Sequence, residues 1–321
     1  MKRKALVIAL VTCCVALACA LTACESKTPV PDTNLEPEPV DKVDKSATAF
    51  SMKPFYALIV GNDSRDGTFK EGNGSHGADG TKRSDTMMLV RVDPKNAQIT
   101  LVSIPRDTQT LLDGETVKIN ECYNRGGIEG SVAKVEEYTG VNIKYYYDVS
   151  FAEFVKLVDA LGGCDVNVPV TMTFEEAIDG GRVTEEEGDQ HLDGRHTLSF
   201  ARVRKIFVNM DSSRQYDDRA IIVSLMSKVI NNPGEMAAYT GDFMSIVHTN
   251  MTDAELVFYV SKFIDNAKKV KFLCGSFPAD GDIDPGTQLW LAWYDPDMWA
   301  AIMKVVDEGG DPNEVYTPPF G

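Results

Sequence analysis

Histidine is scarce in this sequence, with four in 321 residues and no HExxH pair, which argues against a zinc hydrolase. His191 and His196, in Gln190-His191-Leu192-Asp193-Gly194-Arg195-His196, are therefore not read as zinc ligands. A Gly-rich phosphate loop, a GxSxG turn and a Ser-His-Asp order are missing as well, which removes P-loop NTPases and the common serine hydrolases. Positive charge is in deficit: 32 Lys and Arg stand against 48 Asp and Glu, a net charge of −16. That balance argues strongly against general binding to nucleic acid or to anionic lipid. No internal repeat is present. Of seven cysteines, Cys122, Cys164 and Cys274 fall in the body of the chain, far apart and without metal-ligand spacing. Buried free thiols are expected for most of them, with one disulfide left open.

The other cysteines belong to the N-terminus. Lys2, Arg3 and Lys4 precede a small and apolar run over residues 5–20, the pattern of an export signal. It ends in Leu21-Thr22-Ala23-Cys24, which resembles a bacterial lipobox: Cys24 is lipidated and residues 1–23 are removed. The alternative is an uncleaved helix over residues 5–23, about long enough to cross a bilayer. Either form tethers the protein to the outer face of the cytoplasmic membrane. Residues 24–52, rich in Pro, Lys, Glu, Asp and Thr, cannot bury a core and form a flexible tether. Residues 53–321 suit one domain.

Within that domain, residues 55–60, 86–92 and 98–104 are short apolar strands, the last two joined by the turn Asp93-Pro94-Lys95-Asn96. A loop over 118–127 leads to a helix ending near Gly140, and residues 143–149 read as strand. Ser150 and Glu153 form a capping box for a helix carrying Phe154, Leu157, Val158 and Leu161, stopped by Gly162-Gly163. Tyr145, Tyr146, Tyr147, Phe151 and Phe154 are expected in the core, the alternative being a pocket for a lipid chain. Further strands are read at 165–170 and 269–275. Further helices are read at 193–200, along the stripe Ile221, Ile222, Leu225, Met226, Val229, after the Thr252–Glu255 cap, and from Asp295-Pro296. The expected fold is a three-layer α/β/α sandwich with a central mixed sheet.

Against the acidic background, arginines recur beside aspartates: Asn62-Asp63-Ser64-Arg65, Arg83-Ser84-Asp85, Pro105-Arg106-Asp107, and Arg202 and Arg204 through Asp211 and Arg214. Guanidinium groups present paired donors to phosphate oxygens, and carboxylates hold Mg²⁺ against the same oxygens. Singly, each pair reads as a surface ion pair worth less than about 1 kcal/mol. Together, a second strand antiparallel to both neighbours would gather the first three clusters at one end of the sheet. Asp63 and Asp85 are then the candidate metal ligands, and Arg83, Arg106, Arg202, Arg204 and Arg214 the candidate phosphate cations. Asp107 is expected to orient Arg106.

The order of these segments resembles the LytR–CpsA–Psr family of bacterial cell-envelope proteins. The resemblance rests on Ile59-Val60-Gly61-Asn62-Asp63-Ser64-Arg65, Arg83-Ser84-Asp85-Thr86-Met87-Met88, Leu101-Val102-Ser103-Ile104-Pro105-Arg106-Asp107, Lys118-Ile119-Asn120, Leu157-Val158-Asp159-Ala160-Leu161-Gly162-Gly163 and Phe200-Ala201-Arg202-Val203-Arg204-Lys205. It implies an α/β/α enzyme that moves an anionic glycopolymer, such as teichoic acid or capsule, from a polyprenyl-pyrophosphate carrier to a peptidoglycan hydroxyl. Polyprenyl phosphate leaves. It further implies Mg²⁺ at Asp63 and Asp85, phosphates held by Arg83, Arg106, Arg202, Arg204 and Arg214, and the lipid tail in an apolar tunnel near Ile221 and Leu225. The chain departs from the family in Arg214-Gln215-Tyr216-Asp217-Asp218-Arg219, where acids replace a cation: either Arg219 compensates from the next turn or the site is weakened. Residues 66–82 look like an enlarged loop. A polyprenyl-pyrophosphate hydrolase and a non-catalytic lipoprotein binding lipid-linked polymer remain the alternatives.

Overall fold

The computed structural model describes residues 50–63, 82–175, 181–203 and 210–319. The export signal, Cys24, the tether up to residue 49 and most of the enlarged loop lie outside these residues. In chain order the strands are β1 (Phe55–Asn62), β2 (Ser84–Asp93), β3 (Gln98–Ser103), β4 (Gln109–Leu112), β5 (Glu115–Lys118), β6 (Ile143–Ser150), β7 (Cys164–Val168), β8 (Met172–Glu175), β9 (Arg182–Glu185), β10 (Gly188–Leu192), β11 (His248–Thr249), β12 (Lys271–Ser276), β13 (Gly281–Ile283) and β14 (Trp290–Ala292). The helices are α1 (Glu121–Thr139), α2 (Phe151–Ala160), α3 (Gly194–Ala201), α4 (Met210–Asn231), α5 (Met236–Ile246), α6 (Asp253–Asp265) and α7 (Pro296–Asp307).

Six strands form one mixed sheet in the order β11-β6-β1-β2-β3-β12. β2 runs antiparallel to both β1 and β3, whereas β1–β6 and β3–β12 are parallel pairs. The strands are apolar at consecutive positions because both faces are covered. Leu58, Val60, Met87, Leu89, Val102 and Ile104 join Ile128 and Val135 of α1 and Trp299 and Ile302 of α7 in one core. Their neighbours Met88, Val90, Ile99 and Leu101 point the other way, toward Ile222, Met226 and Ile230 of α4 and Phe263 of α6. The period of two along each strand thus builds the expected three layers.

Local chemistry sets the boundaries. Asp93 closes the β2–β3 turn by accepting from Asn96 N at 3.1 Å and Asn96 Nδ2 at 2.9 Å. Ser150–Glu153 and Thr252–Glu255 are complete capping boxes at α2 and α6. After α2, Gly162 and Gly163 take φ of 75° and 85°, the left-handed stop that glycine adopts without strain. A Cβ on Gly163 would also sit 2.5 Å from the His191 ring. α1 starts at Glu121, earlier than the expected loop allows, because Gly127 (φ 62°, ψ −154°) breaks the helix internally rather than preceding it. Cys122 and Cys164 are buried thiols and Cys274 is half-buried, all free. Among the described residues no helix is long and apolar enough to cross a membrane.

Candidate active site

The antiparallel placement of β2 brings its first residues to the edge where β1 and β3 end. Asn62 pairs with Ser84 across a bulge at Gly61/Asn62. Just beyond, Asp63 N donates to Arg83 O at 3.1 Å and Asp63 Oδ1 accepts from Arg83 N at 2.8 Å. Asp85 accepts a charge-assisted bond from Arg106 Nη1, joining the second cluster to the third. Arg106 Nε lies 3.8 Å from Asp107 Oδ2, and Lys118 Nζ lies 2.8 Å from Asp107 Oδ1. The Arg83 guanidinium, partly exposed, is 4.0 Å from Glu121 Oε2.

Two carboxylates therefore share this corner. Burial raises the pKa of Asp63; the bond from the Arg83 amide opposes the rise and the charge of Asp85 adds to it. A divalent cation would relieve that mutual repulsion. Mg²⁺ uses one or two carboxylates and completes its shell with water and substrate oxygens, so Asp63 and Asp85 fit it as a donor pair. Among the described residues no group of three or more His, Cys, Asp or Glu converges as a preformed cage.

Behind the corner a cavity of about 310 Å³ opens between the sheet and α2, α4, α5 and α6. Its polar lining includes Asp85, Thr86, Arg202, Arg214 and Asp218; Met88, Leu157, Ile221, Leu225, Phe243 and Phe263 stand among its apolar walls. Arg202 caps the C-terminus of α3, which ends at Ala201, so a helix end frees it from the one-face constraint of a continuous helix. Its guanidinium carbon lies 4.8 Å from the centre of the Phe151 ring, within cation–π range. Arg214 is buried and donates from Nη1 to the Asp85 carbonyl at 2.7 Å. Asp218, one turn along α4, accepts from Thr86 Oγ1 at 3.0 Å and lies 3.8 Å from Arg214.

The remaining positions of that motif turn away. Arg219 is buried and donates from Nη1 to Ser103 Oγ at 2.7 Å; it is not part of the cavity wall. Asp217 is 2% exposed and also outside the wall. Burial, followed by the charge of Asp218, pushes its carboxyl up to about 7, against the opposing pull of Arg219. Gln215 Oε1 accepts from Ser276 Oγ at 2.6 Å, fastening α4 to β12. Arg65, Arg204 and the side chain of Asp211 lie outside the described residues.

Of the aromatics expected in the core, Phe151 is buried with Ala152 and Leu198 and Tyr145 packs against Phe55 and Tyr259; Phe151, together with the partly buried Tyr147 and Phe154, also lines the cavity. Lys118 and Thr86 are site residues that the charge clusters did not single out. Lys118 sits in the quoted Lys118-Ile119-Asn120 segment, and Thr86 directly follows the second cluster. For Asp218 the signal is its i,i+4 spacing from Arg214.

A family model described as the LytR_cpsA_psr family matches residues 20–292. The polyisoprenyl-teichoic acid–peptidoglycan teichoic acid transferase TagU of Bacillus cereus (strain AH820) is 32% identical over 265 residues, covering 80% of this chain and 77% of that protein. TagV of Bacillus subtilis (strain 168), named for the same transfer, is 32% identical over 203 residues, 61% of this chain and 47% of its own. The crystal structure of B. subtilis TagV matches with a TM-score of 0.67 at 26% identity, covering 81% of this chain and 98% of that one.

Proposed function

Because the chain belongs to the LytR_cpsA_psr family, we propose that it is a phosphotransferase that moves an anionic glycopolymer from a polyprenyl-pyrophosphate carrier to a hydroxyl of peptidoglycan. One observation carries the reading: a single cavity joins Asp85, Arg202 and Arg214 to walls such as Phe154, Ile221, Leu225 and Phe243. Such a space suits a ligand with a charged head and a long hydrocarbon tail. Each buried methylene of that tail contributes about 0.8 kcal/mol, while the arginines take the diphosphate.

The residues then divide the work. The acceptor hydroxyl attacks the phosphorus attached to the glycopolymer. A phosphodiester bond forms to the acceptor as the bond from that phosphorus to the bridging oxygen breaks. Polyprenyl phosphate leaves with the bridging oxygen, and the hydroxyl proton passes to a carboxylate at the corner. Arg106 and Arg214 offset the charge carried by the phosphoryl oxygens. Asp107, shared between Arg106 and Lys118, keeps the Arg106 fork aimed. Asp63 and Asp85 would hold Mg²⁺, which when bound supplies a Lewis acid to the same oxygens. Lipidation at Cys24 would hold this machinery at the outer face of the membrane, where carrier and acceptor meet.

The test is a reconstituted reaction of the full chain with a polyprenyl-diphosphate-linked oligosaccharide, a peptidoglycan oligomer and Mg²⁺, followed by mass spectrometry. A phosphodiester-linked product that disappears with EDTA is expected. Free sugar phosphate, at a rate indifferent to the oligomer, would make the protein a hydrolase. Binding without turnover would make it a carrier protein.

A further inference from the structure

The net charge of −16 is not spread evenly. Residues 256–279 hold four lysines, Lys262, Lys268, Lys269 and Lys271, against one acid, Asp265. Lys268 and Lys269 are exposed in the short 3₁₀ turn Ala267–Lys269 between α6 and β12. Lys95, also exposed, sits in the β2–β3 turn, and the exposed Lys53 precedes β1 by two residues. Strand direction gathers these segments, because β1, β3 and β12 start, and β2 finishes, at one end of the sheet. It is the end opposite Asp63, Asp85 and Arg106.

Acids on the same elements are engaged. Asp93 closes the turn that carries Lys95, Asp265 lies 3.9 Å from Lys262, and Glu255 accepts from Tyr145 and Thr252. Asp253 is left exposed in the first turn of α6. At physiological salt charges act over about 8 Å, so the lysines set the field that an approaching group meets here.

Apolar groups share this surface. α6 crosses the end of the sheet, with Tyr259 against Phe55 of β1 and Phe263 in one cluster with Ile99 of β3. Leu256, Tyr259, Val260 and Phe263, spaced as one helical stripe, line the cavity. On the outer side Val257 is 39% exposed. Phe258 is half-buried, its ring centroid 5.0 Å from that of Phe50 and 5.2 Å from the Lys262 ammonium. Met52 is exposed as well.

Lysines beside an exposed apolar helix face suit a lipid headgroup layer, which takes the cations at its surface and the apolar side chains just beneath. A soluble polyanion would use the cations and leave Val257 and Met52 in water. The described chain also begins at this end, where Tyr259 donates to Ser51 O at 3.3 Å; residues 24–49 lead from there to Cys24. A flexible tether limits distance without fixing orientation, and by holding the domain close it makes weak docking effective. We propose that Val257 and Phe258, with Lys53, Lys95, Lys268 and Lys269, form a docking surface for an anionic phospholipid bilayer. Docking there turns the Asp85–Arg106 corner away from the membrane and sets the inner, cavity-lining face of α6 next to the lipid.

The experiment is amine footprinting of the full chain, reconstituted through its N-terminus into vesicles of phosphatidylcholine alone or with phosphatidylglycerol. Exposed lysines are acylated from the water phase and read by mass spectrometry. Each lysine at an anionic surface raises partitioning roughly fivefold. Labelling of Lys95, Lys268 and Lys269 should therefore fall at least fivefold when phosphatidylglycerol is present. Lys304, exposed on α7 in the opposite layer, should label equally in both lipids. Val257→Glu should return the three lysines to their phosphatidylcholine level, with unchanged circular dichroism. Lys268→Glu/Lys269→Glu, read at Lys95, decides the matter if Val257→Glu unfolds. Equal labelling of the three lysines in both lipids, or an equal fall at Lys304, overturns the docking surface. So does equal protection by soluble poly(glycerol phosphate) without phosphatidylglycerol, which would make the lysines a polyanion site. Neither carrier nor acceptor enters this experiment, so its result leaves the transferase reading untouched.

Discussion

Arg214 on α4 donates to the main-chain carbonyl of Asp85 at 2.7 Å, and the same nitrogen lies 3.8 Å from Asp218 Oδ2. One guanidinium thus braces the start of β2 against the long helix while facing the cavity. Arg214→Ala removes a cation beside a buried carboxylate, which costs about 3 kcal/mol. Urea unfolding should show that loss, and Asp218→Asn in the same background should restore part of it. An unchanged midpoint in Arg214→Ala would show that the helix does not depend on this brace.

Arg106 and Asp85 meet directly at the corner, so each should matter to transfer more than to folding. Arg106→Ala and Asp85→Ala are each expected to lower kcat/KM for glycopolymer transfer by about 100- to 1,000-fold, the usual loss when one preorganised electrostatic partner is removed. Thermal unfolding should stay within a few degrees of wild type. Wild-type turnover in either variant would refute its role.

Asp217 gives the fold a pH signature. Its carboxyl is pushed from 3.8 up to about 7 by burial first and by Asp218 second. The folded chain therefore keeps a proton that the unfolded chain gives up. That contribution is fully present below about pH 4, drains as pH rises to about 7, and is flat beyond. Asp217→Asn, which cannot ionise, should gain on wild type across this window by an amount on the order of 4 kcal/mol. Chemical denaturation at pH 4, 6 and 8 reads the difference, and a gap that does not widen with pH would count against it.

The cavity wall can be tested by filling it. Ile222, half-buried on α4, lines the cavity. Ile222→Trp should raise the KM for a long-chain carrier at least tenfold, by analogy with the 1–3 kcal/mol cost of overpacking. A diphosphate carrying a short prenyl chain should be unaffected. Equal effects on both substrates would place the tail elsewhere.

Sequence reading served best where local chemistry is decisive. The Asp93–Asn96 turn, the two capping boxes and the Gly162-Gly163 stop each have one cheap conformation, and the structure adopts it. The convergence of Asp63, Arg83, Asp85 and Arg106 followed from strand direction alone. Apolar pattern is blinder: it reports exclusion from water, and Tyr147 and Phe154 are equally dry in a core or along a hollow. Rotation also misled. Each residue of a helix turns about 100° from the last, so Arg214 and Asp218 share the cavity face while Arg219 swings to Ser103. The β4–β5 and β13–β14 hairpins escaped notice because strands of three or four residues carry too little alternation to register.

The parallel partnership of β3 and β12 has a bearing on biogenesis. Ser103 and Ser276 hydrogen-bond across 173 residues of sequence, so the sheet lacks its border until nearly the whole polypeptide has emerged. Until then β3 presents an open row of amide and carbonyl groups, an invitation to foreign strands. Contacts this remote also slow assembly. Premature stop codons before residue 271 should thus yield aggregates rather than smaller working domains.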